Sequence, residues 1–440
     1  MGTRFCSVQP GTACIGCVDP TNGILPSTGT DLQGLGFHPF LLKPGWATPR
    51  SGRCPRYFWT VPELATRSPI RVLVVGQTPP PHHGQAIMIA RLLELRSDQV
   101  RLYHVRLAYS DDIGSVGRFA FRKVWILFTT ILQVWWARAR HGTTVLYYPP
   151  SGPAMVPVLR DIVFLIATRW SFKRTVFHFH AGGVSGIAER LPGPLRPLFR
   201  WAYRRPDLAI RTAPQNPDDG AAFGAIRNVV VPNGVEDMRG TVPEVTAAPG
   251  APLNILFTGV MTEGKGVLVA LEAFRLAVSE GLNANLDMMG KWSSDAFRDQ
   301  CEGFVRQHGL SDRVRFIGVL SGQEKFQRFA ACDIFCFPSH YEAETFGLVL
   351  LEAMQFAKPV VSTVWRGIPS VVTDGRNGFL VPVRRPRAVA DRLLALRDPE
   401  LRRTMGLEGR RIFEQDFTLK AFHRNMEREL VSLSQAVEST

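Results

Sequence analysis

The stretch HYEAETFGLVLLEAM, residues 340–354, carries three glutamates beside an apolar run. ETFG ends whatever precedes it, and Gly347 permits a tight turn into a helix LVLLEAM. A helix start presents free N–H groups and a partial positive charge, an environment that suits a phosphate. Glu344 falls in the loop before the turn, within reach of a ligand's hydroxyls. Glu352 falls about one and a half turns into the helix, where a carboxylate can accept two neighbouring hydroxyls at once. Phe346, Gly347 and Leu348 form the turn between the two acids. Glu342 does not share their spacing and reads as a solvated loop acid.

Other segments bring compatible chemistry. TGVMTEGKG, residues 258–266, joins a strand to a helix; Gly259 allows close backbone approach, and Lys265 can neutralise a phosphate as a point charge. TVFHFHAGG, residues 175–183, ends a strand with His178 and His180 at i, i+2, hence on one face. No acid is spaced with these histidines for a metal site, so no metal is expected. In PPPHHGQA, residues 79–86, proline fixes the approach, Gly84 leaves room for a sugar or phosphate, and His82 and His83 are candidates for acceptor groups.

These residues need a frame. RVLVVG, residues 71–76, is a continuous β-branched run of the kind found in buried parallel strands. Strands are expected again at 100–105, 144–148, 175–180, 208–212 and 228–232, with helical patterns between most of them. GTVPEVTAAPGAPLN, residues 240–254, reads as a linker. The alternation then restarts, with strands at 254–259, 284–290, 314–318, 334–338, 359–363 and 378–382. Helices are expected at 265–279, 294–308, 322–331, 347–357 and 386–397, and again through 398–436. The fold class is α/β: two Rossmann-like, doubly wound domains facing a cleft. The expected division is 1–69 as a disordered extension or sequence upstream of the true start, 70–240 as an acceptor-side domain, 241–253 as linker, 254–417 as a second domain and 418–440 as a C-terminal helix.

In this frame the motifs resemble the C-terminal half of the large retaining family 4 glycosyltransferases. The resemblance is carried by GVMTEGKGVLVALEAF, by CDIFCFPSHYEAETFGLVLLEAMQFAKPVVST with its Glu-x7-Glu pair, Glu344 and Glu352, and by GIPSVVTDGRNGFLVP. It implies the GT-B architecture and a nucleotide-sugar donor as substrate, with no cofactor. It implies catalytic roles for His180, Glu344 and Lys265, and donor contacts at Gly84, Gly259, Phe346, Gly347, Leu348 and Glu352. In these terms Glu344 orients the sugar, Glu352 holds the ribose, and His180 supports developing charge or a sugar hydroxyl. VPNGVE, residues 231–236, matches the family's Pro-Asn-Gly-Val-Asp turn near the hinge, with Glu236 in place of the Asp. Two positions depart: Val260 stands where the family commonly has Arg, and Ser370 where it usually has Glu. Another GT-B enzyme, such as an epimerase or phosphorylase, or a non-catalytic sugar-nucleotide-binding subunit would share these motifs. A NAD-dependent dehydrogenase would not, because RVLVVGQTPPPHHG does not supply GxGxxG.

The charge distribution suits an anionic partner, such as a membrane surface, a phosphorylated substrate or nucleic acid, and equally well a role in solubility alone. Residues 1–200 hold 23 Lys and Arg against 9 acids, whereas residues 201–440 hold 29 against 29. SVGRFAFRKVWILFTTILQVWWARAR, residues 115–140, and RLPGPLRPLFRWAYRR, residues 190–205, mix apolar and basic residues in a way that suits a membrane interface. The second reads better as the surface segment; for 124–137 a buried helix between sheet and neighbours is slightly favoured. A run of fourteen cannot cross a bilayer that needs about 20 residues. A glycan or lipid-linked acceptor is implied by the resemblance, and nucleic acid is not expected, since no reading module is present. Seven irregularly spaced cysteines fit a reducing, cytoplasmic setting; Cys14 and Cys17 form a CxxC without standard zinc spacing to Cys6 or Cys54.

Overall fold

A computed structural model describes residues 68–80, 83–107, 119–243 and 250–435. The expectations for 1–69, His82 and the four cysteines before residue 60 therefore lie almost wholly outside the described residues. The described residues form one compact unit.

The first sheet is built from β1 (Ile70–Gly76), β2 (Val100–Arg106), β3 (Val145–Tyr148), β4 (Arg174–Phe179), β5 (Leu208–Arg211) and β6 (Arg227–Val230). All its pairings are parallel, in the order β2-β1-β3-β4-β5-β6. The continuous apolar run of β1 is explained by cover on both sides. Leu73 and Val75 pack with one helical layer, and Val72 and Val74 with the other. The first layer contains α2 (Phe119–His141), α3 (Met155–Thr168) and α4 (Leu195–Tyr203); the second contains α1 (Gly84–Leu93). A short helix α5 (Asp219–Ala222) lies between β5 and β6.

The second sheet contains β7 (Leu253–Thr258), β8 (Ala284–Met289), β9 (Val314–Gly318), β10 (Ile334–Phe337), β11 (Val360–Thr363) and β12 (Gly378–Val381). Its order is β12-β11-β10-β7-β8-β9, again all parallel. The chain winds outward from β7 to β9, returns to β10 on the other side of β7, and winds outward again. This reversal leaves a crevice beyond the C-terminal ends of β7 and β10, because their crossovers leave in opposite directions. Its helices are α6 (Val267–Ser279), α7 (Asp295–Gln307), α8 (Gly322–Ala331), α9 (Leu348–Met354), α10 (Pro386–Ala395) and α11 (Pro399–Ile412). Helix α9 is shorter than the expected 347–357, with Ala357 already at φ 55°.

The last helix, α12 (Leu419–Gln435), returns to the first sheet. Phe422, Met426, Leu430 and Leu433 are buried in the cluster that contains Val72, Val74 and Ile210. The outgoing and returning chains touch where they cross: Val235 N–H donates to the Phe417 carbonyl at 3.0 Å, and Leu419 N–H to the Val235 carbonyl at 2.8 Å. The VPNGVE turn is thus tied to the return crossing.

Helix α2 departs from its expected burial. Thr130, Ile131, Val134 and Ala137 are buried, but Trp125 and Trp136 are 65% and 64% exposed, and Phe128 is 51% exposed. The helix buries one stripe only, and Val124, Leu132 and Trp135 are exposed on it as well. In α4, Phe199, Ala202 and Tyr203 are buried while Leu198 and Trp201 are exposed, as a surface segment requires.

Candidate active site

The loops after β7 and β10 meet at the reversal point of the second sheet. Lys265 enters on the first. Gly266 follows it with φ 80°, and a side chain there would collide with the Pro338 carbonyl, so the lysine loop is pressed onto the β10 exit. Glu344 enters on the second. Lys265 Nζ donates to Glu344 Oε2 at 2.6 Å, and the ammonium lies 4.7 Å from the centre of the Tyr341 ring. Ser339 Oγ donates to the same carboxylate oxygen at 3.3 Å. Two groups 79 residues apart in the chain therefore form one largely buried ion pair. Glu342 is exposed, as expected of a solvated acid.

Gly347 starts α9 with φ 79° and ψ 70°, a conformation open to glycine and strained for other residues. The turn divides the labour of its neighbours. Phe346 is buried edge-on against Phe417, so its side chain serves the core and only its backbone is left for a ligand. Leu348 packs against the cores of both sheets, and a Cβ on Gly84 would lie 3.8 Å from its Cδ1. Gly84 and Leu348 thus face each other across the cleft. Gly259 is closely approached: a Cβ on Gly290 would strike its carbonyl, while a Cβ on Gly259 itself would meet only ordinary contact with Phe337.

Glu352 projects from α9. Oε1 accepts from Lys325 Nζ on α8 at 2.5 Å, whereas Oε2 is buried without a hydrogen-bond partner. An unpaired buried carboxylate oxygen is costly unless a ligand completes it.

On the first sheet, β4 delivers the histidines. Their rings lie 4.0 Å apart, in line with the shared face. The Tyr147 hydroxyl, held protonated by burial, shares a hydrogen bond with His178 Nδ1 at 2.5 Å. Nε2 of each histidine is buried and unpartnered. Burial, and then the nearby His83, push the His180 pKa down to about 3; burial and His180 push His178 well below the ordinary value. Both rings are therefore neutral near pH 7. His180 can therefore offer or accept a hydrogen bond but carries no positive charge. His83 caps α1: it accepts the Ala86 N–H at Nδ1, 3.3 Å, and donates from Nε2 to Gln77 at 3.1 Å.

Several groups that hold the site do not stand out in the sequence. Thr345, inside the ETFG turn, donates to the His180 carbonyl at 2.6 Å, while Asn216 donates to the Thr345 carbonyl at 2.9 Å. These bonds join the two sheets' loops next to both candidate centres. Asp219 accepts from the N–H groups of Gly183 and Ser185 at 2.7 and 2.8 Å, fixing the turn after His180. Lys325 orients Glu352. Each links segments far apart in the chain, and only an acid or amide after a strand end hints at it. Of the two departures, Val260 is 51% exposed, and Ser370 bonds Gln215 across the cleft. Among the described residues, no group of three or more His, Cys, Asp or Glu side chains is arranged to hold a metal ion.

Known proteins share this arrangement of sheets and loops. Residues 239–412 match the family model described as glycosyl transferases group 1. A protein of Escherichia coli (strain K12), named as a colanic acid biosynthesis glycosyltransferase, is 29% identical over 270 residues, covering 60% of this chain and 64% of that protein. The phosphatidyl-myo-inositol mannosyltransferase of Mycobacterium leprae is 32% identical over 170 residues, covering 38% of this chain and 44% of the enzyme. The chain thus spans less than two thirds of the length of these curated relatives. Sucrose-phosphate synthase from Thermosynechococcus elongatus superposes with a TM-score of 0.63 at 20% identity, covering 83% of this chain and all of that one. The Anabaena protein HepE, solved with UDP, gives 0.63 at 17% identity, covering 82% and 100%. The fold is the two-domain GT-B architecture of these proteins.

Proposed function

We propose that the protein is a glycosyltransferase that moves a sugar from a nucleotide-sugar donor to an acceptor with retention of configuration. The observation that carries this reading is the Lys265–Glu344 pair at the reversal point between β7 and β10, with the unpaired Glu352 oxygen on the adjoining helix. A donor has a diphosphate between its sugar and its ribose. Lys265, with three N–H donors, turns to the diphosphate as charge builds on the leaving oxygen. Glu344 then accepts hydrogen bonds from the sugar hydroxyls. Glu352 takes the ribose hydroxyls on its open oxygen while Lys325 holds the other. His180, neutral, hydrogen-bonds a sugar hydroxyl from the opposite wall. The bond from the anomeric carbon to the phosphate oxygen breaks, the acceptor oxygen bonds to the same face, and its proton passes to the departing phosphate oxygen.

A glycan or lipid-linked sugar is the acceptor in this reading, with the chemistry at the cytoplasmic face of a membrane and the protein attached peripherally. In support, one relative is named for colanic acid biosynthesis and another for transfer to a phosphatidylinositol. A thermal-shift screen of nucleotide sugars, followed by assay of the stabilising donor with lipid-linked and oligosaccharide acceptors, tests the proposal. A stabilising donor should raise the melting temperature, since a ligand at 100 times its Kd adds about 2.7 kcal/mol. Transfer to an acceptor should follow. Donor binding without turnover over the acceptor panel would contradict it, as would release of sugar phosphate.

A further inference from the structure

We infer that the outer face of the α2–α3–α4 layer is a docking platform for a bilayer that carries anionic phospholipids. This deepens the peripheral attachment proposed above by assigning it a surface and a lipid charge. The three helices cover one side of the first sheet and share one buried core, so their outward faces lie on the same side of the molecule. Those faces are apolar. Trp125, Trp136, Val156, Val163, Trp170 and Trp201 are between 43% and 69% exposed. The patch continues between elements, because the rings of Trp135 on α2 and Trp170 beyond α3 lie 6.3 Å apart in an edge-to-face contact. Exposed tryptophans at this density present on the order of several hundred Å² of apolar surface, more than an ordinary soluble face leaves uncovered.

Charge selects the occupant. Residues 119–205 hold thirteen Lys or Arg and two acids, Asp161 and Glu189. Asp161 is buried and cancels Arg160, and Asp207 pairs with Arg174, which leaves the remaining count strongly positive. An arginine borders the exposed aromatics: the Arg204 guanidinium lies 5.9 Å from the Trp201 ring. A second copy docking on this face would bring two cationic rims together. An anionic lipid surface instead offers phosphates to the arginines and an acyl boundary to the indoles. Among the described residues no helix is long and apolar enough to cross a membrane, so the platform lies on the bilayer rather than through it.

The test is sedimentation of the full chain with vesicles of phosphatidylcholine alone and of phosphatidylcholine mixed with phosphatidylglycerol. The wild type should bind the mixed vesicles at least about tenfold more tightly, and salt should weaken binding. Trp125→Gln with Trp136→Gln should lower binding at least about tenfold, and Arg200→Gln with Arg204→Gln about fivefold per arginine. Melting temperature and donor turnover in vesicle-free buffer should stay at wild-type values, which separates loss of docking from misfolding. No binding to the mixed vesicles, or equal binding by the tryptophan variant, would overturn the inference. So would a dimer in light scattering that the tryptophan variant abolishes. Donor turnover without vesicle binding would defeat the platform and leave the transferase reading standing.

Discussion

Glu352 has one oxygen on Lys325 and a second, buried, on nothing. That asymmetry makes it the clearest residue-scale target. Glu352→Gln should weaken nucleoside diphosphate binding about ten- to a hundredfold in calorimetry, the range for a charged hydrogen bond. The histidines supply a second expectation, in pH. A histidine whose pKa is lowered by folding binds fewer protons folded than unfolded, so stability falls as pH drops. For His180 the window runs from the ordinary 6.5 down to about 3. Urea melts should show stability falling across it by up to about 1.4 kcal/mol per pH unit for each such histidine, and His180→Gln should flatten the slope. Tyr147 and His178 are positioning residues for that ring. Tyr147→Phe should lower kcat more than it changes KM, while His180→Gln should make the further effect of Tyr147→Phe on kcat small. At this scale the chemistry-bearing residues were legible because acids and histidines are conspicuous beside apolar runs. Lys325, Thr345 and Asp219 were not, because ordinary surface residue types acquire their roles only from partners brought close by folding.

Among the elements, the glycine turn before α9 carries a local constraint that bears directly on the site. Gly347 has φ 79°, and a Cβ added there would lie 2.9 Å from Leu350 Cδ1. Gly347→Ala should therefore cost about 1–2 kcal/mol from backbone handedness alone. Thermal melts would read that loss, and displacement of Glu344 and Glu352 relative to each other should lower turnover further. The strands were legible since parallel strands covered on both faces read as unbroken apolar runs, as in Leu73 and Val75 against Val72 and Val74. The burial of helix α2 was not legible, for a related reason. An all-round apolar helix has the same sequence pattern whether its second face meets protein or lipid, and periodicity carries no information about what lies opposite.

The whole molecule depends on a chain that crosses between its sheets twice. The second crossing ends in α12, whose Leu430 is fully buried in the first sheet's core although it follows the entire second domain in sequence. Leu430→Ala should therefore destabilise the first sheet by about 2–5 kcal/mol, measured by denaturant unfolding with hydrogen exchange on β1 and β5 as the local probe. The two doubly wound halves could be read from the alternation of strands and helices, but the docking of α12 could not, because a terminal amphipathic helix does not name the sheet it covers. The central claim is that Lys265 and Glu344 together serve sugar transfer from a bound donor. Steady-state transfer by Lys265→Ala and Glu344→Gln, with the donor identified by thermal shift, tests it most directly. We expect each variant to fold and to lose about a hundred- to a thousandfold in kcat; wild-type rates in both would contradict the site.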